Sequence, residues 1–334
     1  MSLRISSWIR IGALLLVATA TPARAEWFQR EEAIMGTRVA VELWSEDAAL
    51  AARAMDAVIA EMRRTDELMS TYKPESQLSA VNAHAFEGPV EVDPEIIDVV
   101  ARSFDFSRMS NGAFDVTYAS VGYLYDYRAH QRPTEQQVAA ALPGVDYRQV
   151  EIDRARNTIR FLRKGVRVDL GGIAKGYAVD RSIEILRGLG IEHAMVNAGG
   201  DTRLLGDRLG KPWIVGIRDP RNEGRMVTRL PLEDEAISTS GDYERYFDDG
   251  DERCHHLIDP RTGRSPNSIR SVTVIAPDGL TSEALSKTIF VLGVEQGASI
   301  VESLPNVDAV IVDGAGALHY TTGLLGGGGR AVSS

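Results

Sequence analysis

One stretch constrains this chain more than any other: Val168-Asp169-Leu170-Gly171-Gly172-Ile173-Ala174-Lys175-Gly176-Tyr177-Ala178-Val179-Asp180. A short β-branched strand carried by Val166 and Val168 runs into two glycines, and a helical pattern with Ile173, Ile183 and Leu186 follows. Strand, glycines and helix in that order bring bare backbone up to a phosphate. The helix N-terminus presents unpaired N–H groups and the positive end of a dipole. Asp169 and Lys175 bracket the turn with opposite charges. The spacing matches neither G-x-G-x-x-G nor G-x-x-x-x-G-K-[ST]. A plain strand-to-helix turn with Lys175 in solvent therefore stays open beside the phosphate reading.

The first residues read as an export signal. Arg4 and Arg10 give a basic start, Ile11 to Ala20 is apolar, and Ala23-Arg24-Ala25 is a small-x-small cleavage site. The apolar run is too short for a permanent membrane anchor. No Cys follows it, so the expectation is a periplasmic protein that is not a lipoprotein, with residues 1–25 as a cleavable signal peptide. Residues 26–322 are expected as one folded unit, and residues 323–334, with Gly326 to Gly329, as a flexible tail. Cys254 is the single cysteine, which leaves no internal disulfide and no cysteine-based metal cluster. The net charge of −10 argues against nucleic acid as a partner, though an acidic protein still binds phosphate locally through backbone N–H groups or a metal.

Strand and helix signals alternate without repeat or heptad. Strands are expected at Thr37–Leu43, Thr158–Leu162, Val166–Leu170, Ala194–Ala198, Trp213–Arg218, Ser271–Ile275 and Val307–Val312. Helices are expected at Ala48–Leu68, Asp93–Met109, Ala174–Leu189 and Glu283–Leu292. The polar segment Asp126–Gln137 is the natural place for a loop or lobe boundary. The pattern is that of an α+β protein, mixed sheets with packed helices, in two interlocked lobes.

Four further segments place polar residues where turns are expected. Met35-Gly36-Thr37 opens the first strand pattern. Tyr72 stands just past a helix end in an X-Pro stretch, where it either stacks on a flat ligand or caps the core. Ser238-Thr239-Ser240-Gly241 reads as a hydroxyl-rich turn after a short strand. His256, near Asp259 and Thr262, is a plausible general base or a buried structural histidine. A metal site on His255 and His256 is disfavoured because neighbours on an extended chain point to opposite faces. The chain has no G-x-S-x-G and no H-E-x-x-H, so serine-hydrolase and zincin readings have no support.

Taken together these segments resemble the ApbE family, the FAD:protein FMN transferases. The likeness runs from about Met35 to Gly293. Its strongest pieces are Asp169-Leu170-Gly171-Gly172-Ile173-Ala174-Lys175-Gly176, the Ser238–Gly241 segment and His256-Leu257-Ile258-Asp259-Pro260-Arg261-Thr262-Gly263. The resemblance implies a T-fold-like ApbE architecture. It implies FAD as substrate and Mg²⁺ as its metal. It also implies transfer of FMN onto a threonine hydroxyl of an exported flavoprotein, with release of AMP; the membrane enters only through that target. Some relatives instead hydrolyse FAD or mainly bind it. Matched by motif, His256 takes the place of the base, and Met35, Tyr72, Ala113, Phe114, Asp115, Asp169, Lys175 and Ile258 fall on positions that contact FAD.

The same match exposes a departure. The family's metal site reads Asp-Ala-Leu-[Ala/Ser]-Thr, with Asp and Thr as ligands beside a carbonyl of the Gly-Gly turn. Here the segment is Glu283-Ala284-Leu285-Ser286-Lys287, and the carbonyl is that of Gly172. The resemblance thus implies Gly172, Glu283 and Ser286 as the metal set, with Lys287 in the place of the Thr ligand. A protonated lysine has no lone pair to give. Three readings follow: Mg²⁺ is held by Glu283, carbonyls and extra waters; the Lys287 ammonium replaces the metal's charge; or the site binds FAD without turning it over.

Overall fold

The computed structural model of the protein describes residues 26–325 except 223 and 251; the expected signal peptide and residues 326–334 of the expected tail lie outside the described residues. The frame is one eight-stranded sheet. Across it stand, in order, Glu26–Ile34, Thr37–Ser45, Ala194–Ala198, Asp201–Leu205, Ala236–Gly241, Ile269–Ala276, Asp308–Asp313 and Leu318–Tyr320. Every neighbouring pair is antiparallel. The period-two pattern decides which side chains go inward: in Thr37–Ser45, Val39, Val41 and Leu43 are buried while Ala40, Glu42 and Trp44 are only partly covered.

Helices cover one face. Ala48–Met69 starts at Asp47, whose carboxylate accepts the Ala49 N–H at 2.8 Å, and it buries Ala51, Ala54, Val58, Ile59 and Met62 as one stripe. Pro94–Met109 starts at the cap Asp93 with Pro94 in the first turn. Gly279–Leu292 starts at Asp278, whose carboxylate accepts from Thr281 N at 2.7 Å, and stops at Gly293 with φ 85°. Its Ala284, Leu285, Ile289 and Phe290 share a core with Ile96, Val100 and Phe106 on one side and Val272 and Val274 of the sheet on the other. This shared core packs the late helix between Pro94–Met109 and the sheet. A second core joins Ala48–Met69 and Ala174–Gly188 to the first strands, and a third lies on the other side of the sheet around Ile237, Ile275 and Trp213.

Four expectations change. Val166–Leu170 is extended but joins no ladder. Side chains replace the missing strand: Asn82 brackets Val168, its Oδ1 accepting the Val168 N–H at 2.7 Å and its Nδ2 donating to the Val168 carbonyl at 2.8 Å, and Ser120 Oγ accepts the Arg167 N–H at 3.0 Å. Ser238–Gly241 is no turn; it belongs to the strand Ala236–Gly241, with Ser238 and Ser240 buried on one face and Thr239 bonded to Thr273 Oγ1 at 2.9 Å on the other. The late helix begins at Gly279, a turn before the expected Glu283, because Asp278 supplies the cap. Gly323, Leu324 and Leu325, expected in the tail, close a last helical turn with Leu324 buried.

Candidate active site

Two helices meet at glycines to make this site. A Cβ on Gly176 would lie 2.2 Å from the Gly279 carbonyl oxygen, and a Cβ on Gly279 would lie 2.6 Å from the Gly176 carbonyl oxygen. Nothing larger than glycine permits that approach. The contact lets each helix cap the other. Asp180 of the first accepts the N–H groups of Gly279 and Leu280 at 2.7 and 2.9 Å. Glu283 of the second, fully buried, accepts the Gly176 N–H at 2.7 Å. Both carboxylates sit at the positive end of the partner helix's dipole.

Lys175 and Lys287 complete the cluster. Lys175 Nζ pairs with Glu283 Oε1 and stands 3.1 Å from Asp201 Oδ2. Lys287 Nζ is 3.3 Å from Glu283 Oε1 and 3.9 Å from Asp201 Oδ1. Asp201 also accepts from Ser238 Oγ at 2.5 Å. Burial alone would raise the Asp201 carboxyl, yet the lysines beside it hold it below its ordinary value. Burial likewise opposes charge on Lys175, and Asp201 and Glu283 outweigh it, so this ammonium is held well above its ordinary range. The arrangement has a direction. The side chains of Glu283 and Asp201 are 0% and 3% exposed, while those of Lys175 and Lys287 are 21% and 18% exposed. The lysine side chains are more exposed than the carboxylates they pair with, while their Nζ atoms point at those carboxylates, and Lys175 Nζ also donates to the Gly171 carbonyl at 3.2 Å. Lys175 is therefore not the free solvent lysine of a plain turn.

The Gly171–Gly172 turn lies alongside. Asp169 Oδ1 accepts the Gly171 N–H at 2.6 Å, and its Oδ2 accepts from Thr71 Oγ1 at 2.8 Å. A Cβ on Gly172 would lie 3.6 Å from the Phe114 ring and 4.0 Å from Lys287 Cγ. The helix N-terminus is less open than its sequence suggests. Ala174 N–H bonds the Leu170 carbonyl, and Gly176 N–H belongs to Glu283.

The other expected residues distribute as follows. His256 is half-buried, and its main-chain N–H bonds the Arg245 carbonyl at 3.0 Å. Burial, with His255, Lys287, Arg245 and Lys175 near by, pushes its ring down to about 3, so the imidazole is neutral at physiological pH. Its Nδ1 is buried without a hydrogen-bond partner. Asp259 does not orient it; both Asp259 oxygens are held by the Arg261 guanidinium at 2.9 Å. His255 turns into the core, with Nε2 2.8 Å from the Pro266 carbonyl and its ring edge-on to Phe290. Tyr72 is 84% exposed and does not cap the core. Met35 has φ 54° at the hairpin turn and packs against two cores. Ala113, Phe114 and Ile258 are buried. The Asp115 carboxylate is occupied by its own turn, accepting Thr117 N, Thr117 Oγ1 and Tyr147 N at 2.8, 2.6 and 2.8 Å, and burial raises it.

Sequence reasoning missed three residues. Asp201 was visible only as the end of the Gly199-Gly200 turn. Tyr118 is half-buried within electrostatic reach of Asp169, Tyr72 and Arg245. Arg245 leans on the Gly36 carbonyl at 3.5 Å and carries its charge toward His256. No spacing rule links these positions, because the sheet and the hairpin turn bring them together.

The residues do not fit a divalent metal. Mg²⁺ asks for near-octahedral oxygen ligands at about 2.0–2.1 Å. Of the set implied by resemblance, both Glu283 oxygens already hold an ammonium group or an amide. Ser286 Oγ faces inward to Ser240 Oγ at 2.8 Å and the Glu283 carbonyl at 2.8 Å. The remaining implied ligand, Gly172, lies beside the Lys287 stem, where a Cβ would fall 4.0 Å from its Cγ. Two lysines and two carboxylates make a neutral cluster, where a threonine at position 287 would leave one negative charge in excess. A dication about 4 Å from the Lys287 ammonium is repelled by about 8 kcal/mol at an effective dielectric near 20. Among the described residues no three His, Cys, Asp or Glu side chains stand close enough to share a cation.

A model of the ApbE family matches residues 35–311. A relative from Treponema pallidum named FAD:protein FMN transferase is 30% identical over 91% of this chain and 90% of its own length. The crystal structure of the ApbE protein from Thermotoga maritima superposes with a TM-score of 0.83 at 31% identity, covering 90% of this chain and 98% of that one. The flavin transferase ApbE from Vibrio cholerae superposes with a TM-score of 0.80 at 28% identity, again over 90% and 98%.

Proposed function

The chain belongs to the ApbE family, and from that premise we propose that it is an FAD:protein FMN transferase, moving the FMN part of FAD onto a threonine hydroxyl of an exported flavoprotein and releasing AMP. The observation that carries the reading is a one-sided charge cluster beside a neutral histidine. Partly exposed Lys175 and Lys287 pair with buried Glu283 and Asp201, against a glycine turn that would let a diphosphate approach.

In this reading the threonine Oγ attacks the phosphorus on the FMN side. A P–O bond to threonine forms, and the bond from that phosphorus to the bridging oxygen breaks. The electron pair leaves on AMP. The threonine proton passes to the His256 ring, which is unprotonated at neutral pH. The chain's remaining contribution is placement and charge. The ammonium groups meet phosphate oxygens as negative charge builds on the leaving group, and they are already fixed by their carboxylates. Tyr72, exposed beside Thr71 and Asp169, offers a flat ring for the isoalloxazine or adenine. The N-terminal signal read from the sequence supports a periplasmic place for this reaction, among exported target subunits.

The test is AMP release from FAD by the mature protein, with and without a threonine-bearing acceptor domain. Release that needs the acceptor, with flavin retained on the acceptor in denaturing gels, is the expected result. Release without acceptor makes the protein an FAD pyrophosphatase, and intact bound FAD in all conditions makes it a flavin carrier.

A further inference from the structure

We propose that this chain handles the FAD diphosphate without a divalent metal, the Lys287 ammonium supplying the positive charge from the position where the family motif has a metal-ligating threonine. The inference rests on the transferase reading for its substrate and on separate observations for its chemistry. Lys287 lies one helical turn after Glu283, so both side chains project from the same face of Gly279–Leu292. Its stem passes the Gly172 turn, and its Nζ is tethered to Glu283 and Asp201 at 3.3 and 3.9 Å. A tethered ammonium group has already lost most of its rotamer freedom, so little more is lost when a phosphate oxygen arrives. The two carboxylates that would draw a dication are each satisfied. Glu283 holds Lys175, Lys287 and the Gly176 N–H, and Asp201 holds Lys175, Lys287 and Ser238. Ser286, the remaining side chain of the implied metal set, is turned into the Ser238–Ser240 hydroxyl group cluster.

The transfer step balances with these groups alone. The threonine O–H loses its proton to His256, the P–O bond to threonine forms, and the P–O bond to AMP breaks with its pair on the AMP oxygen. Lys287 keeps its three protons throughout and contributes charge and hydrogen bonds. No oxidant, reductant or further reactant takes part.

The test uses the mature protein with Mn²⁺ as a paramagnetic stand-in for Mg²⁺. Free Mn²⁺ is followed by its electron paramagnetic resonance signal, with protein alone and with protein plus FAD. FAD affinity is measured in EDTA and in excess Mg²⁺. The expected results are no loss of free Mn²⁺ beyond that caused by FAD alone, and equal FAD affinity in the two buffers. Lys287→Met is expected to weaken FAD binding about ten- to a hundred-fold, the loss of one charge-assisted contact. Lys287→Arg, which keeps the charge, is expected to recover most of it and so separates lost charge from a damaged fold. The double change Glu283→Asp with Lys287→Thr is expected to gain Mn²⁺ binding and a Mg²⁺-dependent FAD affinity. Stoichiometric Mn²⁺ binding by the unaltered protein overturns the proposal, as does FAD binding or transfer that requires Mg²⁺. If FAD is bound but never transferred, the transferase reading fails, and the Mn²⁺ and affinity measurements still decide the metal.

Discussion

His256 shows how one residue's environment fixes its role. Its ring is pushed down to about 3 by burial and by the cations around it. The unfolded chain would titrate it near the ordinary value of about 6.5. Between those two values the unfolded state binds a proton that the folded state does not, so stability is present near neutrality and falls as pH falls through that window. Urea melts at about pH 5 and pH 7 check this; His256→Ala is expected to flatten that part of the pH dependence. The same substitution is expected to slow flavin transfer by about 10²–10⁴, the usual weight of a general base, with FAD affinity changed no more than a few-fold. Transfer at near the unaltered rate would remove His256 from the mechanism. Tyr72 is the opposite case, 84% exposed and without a packing duty. Tyr72→Ala is expected to weaken FAD binding by about 1–3 kcal/mol, borrowing the scale of base-on-aromatic stacking, and to leave the melting temperature unchanged. Fluorescence titration and a thermal melt together distinguish a stacking ring from an idle one.

The two crossing helices hold the site at the next scale. Ala174–Gly188 has no side-chain cap of its own, and the residue at its cap position is Ile173. Its N-terminal amide is satisfied by Glu283 from the other helix, while Asp180 returns the service at Gly279 and Leu280. The interlock depends on Gly176, where a Cβ would fall 2.2 Å from the Gly279 carbonyl oxygen. Gly176→Ala is therefore expected to force the helices apart. The stability loss is about 1–3 kcal/mol, the scale of overpacking. It should be accompanied by loss of FAD binding, since Glu283 and Lys287 move with the second helix. Gly188→Ala is the control: it lies on the same helix with nothing within 4 Å of the added carbon, so denaturant melts and FAD titrations of that variant should stay near the unaltered values.

At the scale of the molecule, the net charge opposes the proposed anionic ligand, and the two lysines of the site act against that field. The chain carries −10 overall, and FAD brings about two more negative charges on its diphosphate. If the whole-protein field governed encounter, added salt would screen repulsion and tighten binding. If Lys175 and Lys287 govern it, salt screens attraction and weakens binding. FAD affinity is expected to fall as ionic strength rises from about 0.05 to 0.5 M; a rise would assign the dominant field to the acidic surface.

Much of this was legible in the sequence, and the reasons are local. Periodicity placed the helix from Ala48, the helix ending at Met109 and the strand from Thr37, because amphipathic spacing is set by which face meets a core. The family resemblance grouped the Gly171–Gly172 turn, Lys175, Glu283 and His256 as one expected site, and the structure pairs Lys175 with Glu283. The expected strand at Val166–Leu170 failed because Asn82, distant in the chain, satisfies its backbone. The expected serine turn failed because Ser238 and Ser240 are inward positions of a central strand. Asp259 looked like a partner for His256 only until Arg261 was seen to hold both its oxygens. The sequence alone determined the residue types of the charge cluster, the lysine at position 287 among them. Only the tertiary structure decided that Asp201 joins them and that the carboxylates are buried beneath partly exposed lysines. The physical reason is that pairing between charges depends on distances of 3–4 Å. Those distances are set here by a glycine crossing between two helices more than 90 residues apart in the chain, as Asp180 and Gly279 are 99 positions apart.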